Sequence, residues 1–174
     1  VLFGARPPAD CRAGLLVLGP RAEADRPSLR VADPRRTFAA LLALFHPRSA
    51  PPPGRHASAQ VDPSADVDAG CTVGPLVVVE AGARVEAGCV LEAGCLVGEG
   101  VHLGPGCRIG PGARILAGCL LGPGVDVGAN SVLGGPGFGF LPPDAEGRRD
   151  PVPQVGRLVV GEGARIGALC AIDR

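Results

Sequence analysis

The 174-residue sequence has no Met, Trp, Tyr or Lys, and its five Phe residues are its only aromatics. Because all 17 basic residues are Arg and lie scattered along the chain, they form no basic stripe that would attract nucleic acid. No apolar run approaches the roughly 20 residues that a membrane span needs, and residues 15–18 are too short for a signal peptide. We therefore expect a cytoplasmic protein with no membrane span and no nucleic-acid partner.

What the sequence has instead is a period of six residues from position 61 to position 133. An aliphatic anchor recurs at every sixth position, and a small or β-branched residue precedes each anchor by two positions. The anchors are Val61, Val67, Val73, Val79, Val85, Leu91, Val97, Leu103, Ile109, Ile115, Leu121, Val127 and Leu133. This repeat predicts a parallel β-helix, a solenoid in which three hexapeptides complete one triangular coil and every third anchor shares a face.

Glycine, proline and cysteine follow the same period. Gly-Pro-Gly triplets at 104–106, 110–112 and 122–124 mark predicted corners, since Gly tolerates positive φ and Pro cannot donate to a strand ladder. Six of the seven cysteines take the small position two residues before an anchor: Cys71, Cys89, Cys95, Cys107, Cys119 and Cys170. With no CxxC pair present, the pattern favours buried thiols over zinc ligands or disulfides, and neither a metal nor a cofactor is expected.

The period divides the chain into domains. Residues 1–48 predict a partial α/β domain, with strands near 15–18 and 29–31 followed by a helix. Asp33 is a suitable N-cap for this helix and Pro34 a suitable first residue. The apolar stripe on the helix is predicted to be core and consists of Phe38, Leu41, Leu42 and Phe45. Residues 49–56 form a Pro-rich linker, and residues 57–174 form the β-helix.

One insertion interrupts the β-helix. The period is lost after Leu133 and returns at Val160, 27 residues later, which is one hexapeptide plus 21 residues. The segment at about 135–157 is therefore predicted to project from a corner as a loop. It carries Phe138 and Phe140, and the residues alone are equally compatible with rings that pack on the wall or a neighbouring subunit and with rings that contact a ligand.

The three histidines form no recognisable catalytic arrangement. His46 closes the predicted helix, His56 begins the solenoid, and His102 directly precedes an anchor and should point outward. A solvated position is favoured for His102, with a catalytic role as the alternative. The lack of Met, and hexapeptides that run to Ile172 without a capping segment, suggest that the chain is cut at both ends.

Several segments together resemble the UDP-3-O-acylglucosamine N-acyltransferases of lipid A biosynthesis. They occur in the order seen in that family and are 39–47, 57–65, 131–140, 153–161 and 172–174. The most selective feature is Gly-Phe-Gly-Phe at 137–140 followed by Pro-Gln-x-Gly-Arg at 153–157. The resemblance covers nearly the whole chain and is weakest over residues 1–30.

The resemblance implies a left-handed β-helix that assembles as a homotrimer. It implies transfer of an (R)-3-hydroxyacyl group from acyl carrier protein to the 2-amine of a UDP-3-O-acyl-glucosamine. It also makes part of the insertion a candidate substrate-binding or interface segment, comprising Gly137, Phe138, Gly139, Phe140 and Gln154.

Two family features are not matched. The histidine base of the family lies beyond Arg174, so this chain is expected to carry no catalytic residue. The aromatic motif that stacks uracil is also absent, because Phe3 is followed at the corresponding spacing by Arg6 and Ala9.

Two other functions fit the repeat. One is a different hexapeptide-repeat acyltransferase that acts on a nucleotide sugar. The other is a non-catalytic structural β-helix, which the long insertion disfavours because a filament would favour an uninterrupted repeat.

Overall fold

A computed structural model describes residues 11–25, 27–47 and 51–174. The chain forms two compact units, Val1–Ala50 and Pro51–Arg174. Among the described residues, no helix has the length and apolar character that a membrane crossing requires. The positions of the unmatched uracil motif, Phe3, Arg6 and Ala9, lie outside the described residues.

The N-terminal unit contains two short parallel strands and one helix. Strand β1 spans Leu16–Leu18, strand β2 spans Ser28–Arg30, and helix α1 spans Pro34–Phe45. The Asp33 carboxylate accepts a hydrogen bond from the backbone N–H of Arg36 at 3.0 Å, which is the capping contact predicted for this residue. All three elements lie where the hydrophobic pattern predicts them, with β2 displaced by one residue.

The prediction that the apolar stripe of α1 is core is wrong. No residue of the helix is buried, and Phe45 at the end of the stripe is 73% exposed. The buried cluster of this unit consists of Leu16, Leu18 and Ala22. Two strands of three residues each present too narrow a surface to cover one face of a 12-residue helix.

The second unit is a three-sided solenoid of short parallel strands. The strands of the first face are Gly54–Arg55, Thr72–Val73, Val90–Leu91, Arg108–Ile109, Asp126–Val127 and Arg165–Ile166. Those of the second face are Gln60–Val61, Val78–Val79, Leu96–Val97, Arg114–Ile115, Val132–Gly135 and Ala171–Asp173. Those of the third face are Asp66–Val67, Arg84–Val85, His102–Leu103, Leu120–Leu121 and Val159–Val160.

The strands stack in the predicted register, so that each anchor lies directly over the anchor of the next coil. Ile109, for example, pairs with Leu91 on one side and Val127 on the other. Backbone hydrogen bonds run between coils, as from the Gly98 N–H to the Ile115 carbonyl at 2.8 Å. Anchors and small positions together form one continuous buried cluster. The second unit is a left-handed parallel β-helix. The repeat predicts the parallel β-helix, and the family resemblance implies its hand.

The solenoid pairing begins at Gly54, within the segment 49–56 that the sequence suggests as a linker. Gly54 and Arg55 pair with Thr72 and Val73 of the next coil. Residues 49 and 50 lie outside the described part of the chain.

The Gly-Pro-Gly triplets lie at corners as predicted, and the structure adds a second reason for glycine there. Gly106 has φ of 69°, the left-handed conformation expected of a tight corner. Gly104, at the start of the same triplet, faces the backbone of the next coil, and a Cβ there would lie 2.8 Å from the Pro123 nitrogen. With the backbone as it stands, a side chain at Gly104 would therefore require the neighbouring coil to shift.

Candidate functional site: the inserted hairpin

The insertion leaves the solenoid wall through Gly134 and Gly135. Gly134 has φ of 82°, and a Cβ on it would overlap the Sγ of Cys119 in the coil below. The carbonyl of Gly135 accepts a hydrogen bond from the N–H of Arg174 at 2.9 Å. The departure point is thus held between the coil before the insertion and the coil after it.

Beyond this point the insertion folds back on itself as a hairpin, which we call the inserted hairpin (residues 136–158). Phe140 and Pro151 form an antiparallel bridge. The Leu141 N–H donates to the Asp150 carbonyl, and the Val152 N–H donates to the Gly139 carbonyl, both at 2.9 Å. Antiparallel pairing sets this segment apart from the parallel strands of the wall.

Asp144 organises the tip of the hairpin. Its Oδ1 accepts from the backbone N–H groups of Glu146 at 3.0 Å and Arg148 at 2.8 Å, and its Oδ2 accepts from Arg148 Nε at 2.8 Å. These bonds stabilise the carboxylate, and the backbone N–H of Arg148 contributes most to lowering the pKa of Asp144.

The two rings of the hairpin form an exposed aromatic pair. Phe138 is 93% exposed and Phe140 is 47% exposed. Their centroids lie 5.1 Å apart with an interplanar angle of 73°, an edge-to-face arrangement. Neither ring belongs to the buried core of the described residues. The pair therefore presents apolar surface outward, where it can accept an alkyl chain, a flat ring or another protein surface.

The side chain of Gln154 lies beside the two glycines that flank Phe138. A Cβ on Gly137 would lie 3.3 Å from Gln154 Oε1, and a Cβ on Gly139 would lie 3.6 Å from Gln154 Nε2. The amide also donates to the Val152 carbonyl at 3.2 Å. The structure thus brings all five sequence-predicted residues together, with the side chain of Gln154 lying across the space that the two glycines leave.

The solenoid wall carries two side-chain contacts between coils that sequence reasoning missed. Glu86 Oε1 lies 2.9 Å from His102 Nε2 and 3.5 Å from Arg84, while Glu92 accepts from Arg108 at 2.8 Å. In both close pairs the partners are 16 residues apart. The first partner directly follows one anchor, and the second directly precedes the anchor one coil later. Both contacts can therefore be predicted from an 18-residue coil.

The hydrogen bonds of the other two described histidines are local, and none of them involves the hairpin. Nδ1 of His56 lies 2.8 Å from the Ser58 hydroxyl, and the N–H of His46 closes α1 by donating to the Leu42 carbonyl. Within the described ranges, no group of three or more His, Cys, Asp or Glu side chains could hold a metal ion.

Comparison with known proteins finds a repeat family and several relatives that the chain resembles. Residues 100–135 match the family described as bacterial transferase hexapeptide (six repeats). The chain is 48% identical over 166 residues to a UDP-3-O-acylglucosamine N-acyltransferase of Leptospira biflexa, a match that covers 94% of this chain and 47% of the relative. The chain therefore carries the hexapeptide repeat of this family and is similar to these acyltransferases over nearly its whole length. It spans about half the length of the curated relatives it matches.

Further relatives carry names of the same kind. The chain is also 48% identical over 168 residues to the UDP-3-O-acylglucosamine N-acyltransferase of Aromatoleum aromaticum, covering 95% of the chain and 49% of that protein. Among solved structures, the perosamine N-acetyltransferase of Caulobacter crescentus is similar at 20% identity and a TM-score of 0.38, over 91% of this chain and 64% of that one.

Proposed function

We propose that the protein is an N-acyltransferase of lipid A biosynthesis, of which the described chain supplies the solenoid wall and the inserted hairpin. One observation carries the proposal: 48% identity to a curated UDP-3-O-acylglucosamine N-acyltransferase over 94% of the chain, a span that includes the hairpin with its exposed ring pair. The hairpin also counts against a purely structural β-helix, because its exposed apolar surface has no function in stacking coils.

The proposed reaction joins two substrates. The acyl donor is a 3-hydroxyacyl thioester on acyl carrier protein, and the acceptor is the 2-amine of a UDP-3-O-acyl-glucosamine. The amine attacks the thioester carbon, a general base removes its proton, and hydrogen-bond donors stabilise the oxyanion before the thiolate leaves. We further propose that the protein works in the cytoplasm as a homotrimer with its sites between subunits.

Within this scheme the inserted hairpin serves binding. The edge-to-face rings of Phe138 and Phe140 offer an apolar surface to the acceptor or to the adjacent subunit. The Gln154 amide lies beside Gly137 and Gly139 and donates to the Val152 carbonyl. The described histidines lie at a helix end, at the solenoid entry and on the wall, so the base is proposed to come from outside this chain.

A binding experiment tests the role of the hairpin. The acceptor nucleotide sugar is titrated calorimetrically into the trimeric full-length protein and into its Phe138→Ala variant, and the sedimentation of both is compared. We expect Phe138→Ala to weaken acceptor binding or trimer stability while the melting temperature stays near that of the wild type. Leu76→Ala, which truncates another exposed apolar side chain at a distant corner, is the control and should change neither. Equal effects of the two substitutions would contradict the proposal.

An activity experiment tests the origin of the base. Purified chain 1–174 is incubated with hydroxyacyl-carrier protein and the acceptor, and product is followed by mass spectrometry. We expect no transfer above background. Turnover that His102→Ala abolishes would instead identify His102, paired with Glu86 at 2.9 Å, as the base.

A further inference from the structure

Three cysteines form a column inside the solenoid. Cys71, Cys89 and Cys107 occupy the same position on successive coils, because the residues that follow them, Thr72, Val90 and Arg108, pair in register. Their thiols point the same way. The Sγ of Cys71 donates to the Glu86 carbonyl at 3.1 Å, that of Cys89 to the Gly104 carbonyl at 3.2 Å, and that of Cys107 to the Gly122 carbonyl at 3.2 Å.

The spacing of the column suits a covalent bond between neighbours. Paired strands lie about 4.8 Å apart, and a disulfide joins residues whose Cα atoms are about 4.4–6.8 Å apart. Cys95 is equally buried but has Val77 and Ala113 at the same position in the adjacent coils. The structure therefore contains an internal comparison between Cys95, a buried thiol without a thiol neighbour, and the three cysteines of the column.

Within the column, the Cys89 thiol lies within hydrogen-bond reach of both neighbouring sulfurs, those of Cys71 and Cys107. The Cys89 thiol can donate to the Cys107 thiolate, and this contact lowers the pKa of Cys107 to about 7. The same contact, together with burial, raises the pKa of Cys89. Burial raises the pKa of the Cys71 thiol, so Cys107 is the member of the column that most readily supplies a thiolate.

We propose that Cys89 and Cys107 form an oxidation-sensitive dithiol inside the β-helix, for which a peroxide is the oxidant. The Cys107 thiolate attacks one peroxide oxygen, the O–O bond breaks, and a sulfenic acid and hydroxide form. The Cys89 sulfur then attacks the sulfenic sulfur, its proton goes to the departing hydroxide, and water leaves as the S–S bond forms. Two thiols and one hydrogen peroxide thereby give one disulfide and two waters.

The product would link two successive coils of the wall. Because both thiols are fully buried, access of peroxide to them limits the reaction, which is slower than that of an exposed thiol. Once formed, the bond closes a loop of the unfolded chain between positions 89 and 107 and so stabilises the stacked state.

Peptide mapping tests the assignment on the folded chain. The protein is treated with hydrogen peroxide, the remaining thiols are alkylated in denaturant, and the chain is cut with trypsin and a glutamyl endopeptidase. Cleavage after Arg and Glu separates Cys71 in 56–80, Cys89 in 87–92, Cys95 in 93–99 and Cys107 in 100–108. We expect the intact mass to fall by two hydrogen atoms, peptides 87–92 and 100–108 to be joined, and peptide 93–99 to be recovered alkylated.

Two variants sharpen the result. Cys71→Ser should retain the joined peptides, whereas Cys107→Ser should lose them. Joining of 56–80 to 87–92 as the main product, joining of 93–99 at a comparable level, or full recovery of alkylated 87–92 and 100–108 after peroxide would each overturn the proposal. Because the wild-type chain carries its own control in Cys95, the test stands even where a variant fails to fold.

Discussion

The solenoid wall and the inserted hairpin use apolar residues in opposite ways. In the wall, the anchors point inward and form one buried cluster, while charged pairs such as Glu92 and Arg108 lie outside it. In the hairpin, the large apolar side chains point outward, with Phe138 and Val155 both more than 90% exposed. The hydrophobic residues of the wall are thus buried by the folding of the chain itself, whereas those of the hairpin stay exposed.

The difference arises because the two regions pair their backbone hydrogen-bonding groups in different ways. Every coil of the wall donates to the next, as from Leu96 to Ala113 at 2.9 Å, so that stacking buries anchors and pairs backbone groups at once. The hairpin pairs its own strands across Phe140 and Pro151 and depends on Asp144 at its tip. Such a segment keeps its shape without a core, which leaves its rings available for a partner.

The largest expected effect is that of a charge placed inside the wall. Ile115→Asp buries an unpaired carboxylate at a fully buried anchor and should destabilise the chain by more than about 4 kcal/mol, abolishing the cooperative thermal transition. Arg114→Asp places the same side chain one residue earlier, on the outer side of the same strand, and should change stability by less than about 0.5 kcal/mol. Circular dichroism melts of both variants measure the contrast, and similar melts would refute the assignment of inner and outer positions.

A smaller effect is expected at the junction of the two regions. Gly134→Ala forces a Cβ both into a left-handed conformation and against Cys119 Sγ, and should cost about 2–5 kcal/mol. Chemical denaturation measures this loss. A Gly134→Ala, Cys119→Ala double variant should recover the part due to overlap and keep the roughly 1–2 kcal/mol due to φ. If the losses of stability from the two single substitutions simply add, the overlap is relieved by a shift elsewhere and not by removal of the Cys119 sulfur.

The ring pair should contribute little to stability. Phe138→Ala removes a side chain that is almost wholly exposed and should lower the free energy of unfolding by less than about 0.5 kcal/mol. Leu133→Ala, at the last anchor before the hairpin, should lower it by about 2–5 kcal/mol. A loss of several kcal/mol from Phe138→Ala in the monomeric chain would place the ring in the core and remove the contrast between the regions.

The smallest effect is local and depends on pH. Because the hydrogen bonds at the tip lower the pKa of Asp144, their contribution is complete above the ordinary Asp value of about 3.9 and is lost as pH falls through the lowered value. Amide hydrogen exchange at Glu146 and Arg148 should therefore quicken relative to the wall at low pH. Asp144→Asn should quicken it already at neutral pH, whereas Asp150→Asn, a charge removal elsewhere in the hairpin, should not.

Much of the wall is predictable from the sequence because its rule is local and repeated. Ile109 follows Leu91 by 18 residues, and the structure pairs the two in register. Asp33 and Pro34 likewise predict the start of α1 from the local sequence alone. The prediction that failed concerns α1. Its apolar stripe indicates a core position, but a hydrophobic pattern does not show how much surface the neighbouring elements offer to cover the helix.

The sequence by itself determined the coil, its faces, its corners and the presence of an insertion, because each follows from a period of six and from the backbone preferences of Gly and Pro. Only the tertiary structure decided how the insertion folds. It paired Phe140 with Pro151 in an antiparallel hairpin and laid Gln154 beside Gly137 and Gly139. Within the insertion no six-residue period specifies which residues face each other, so these contacts cannot be predicted from the repeat.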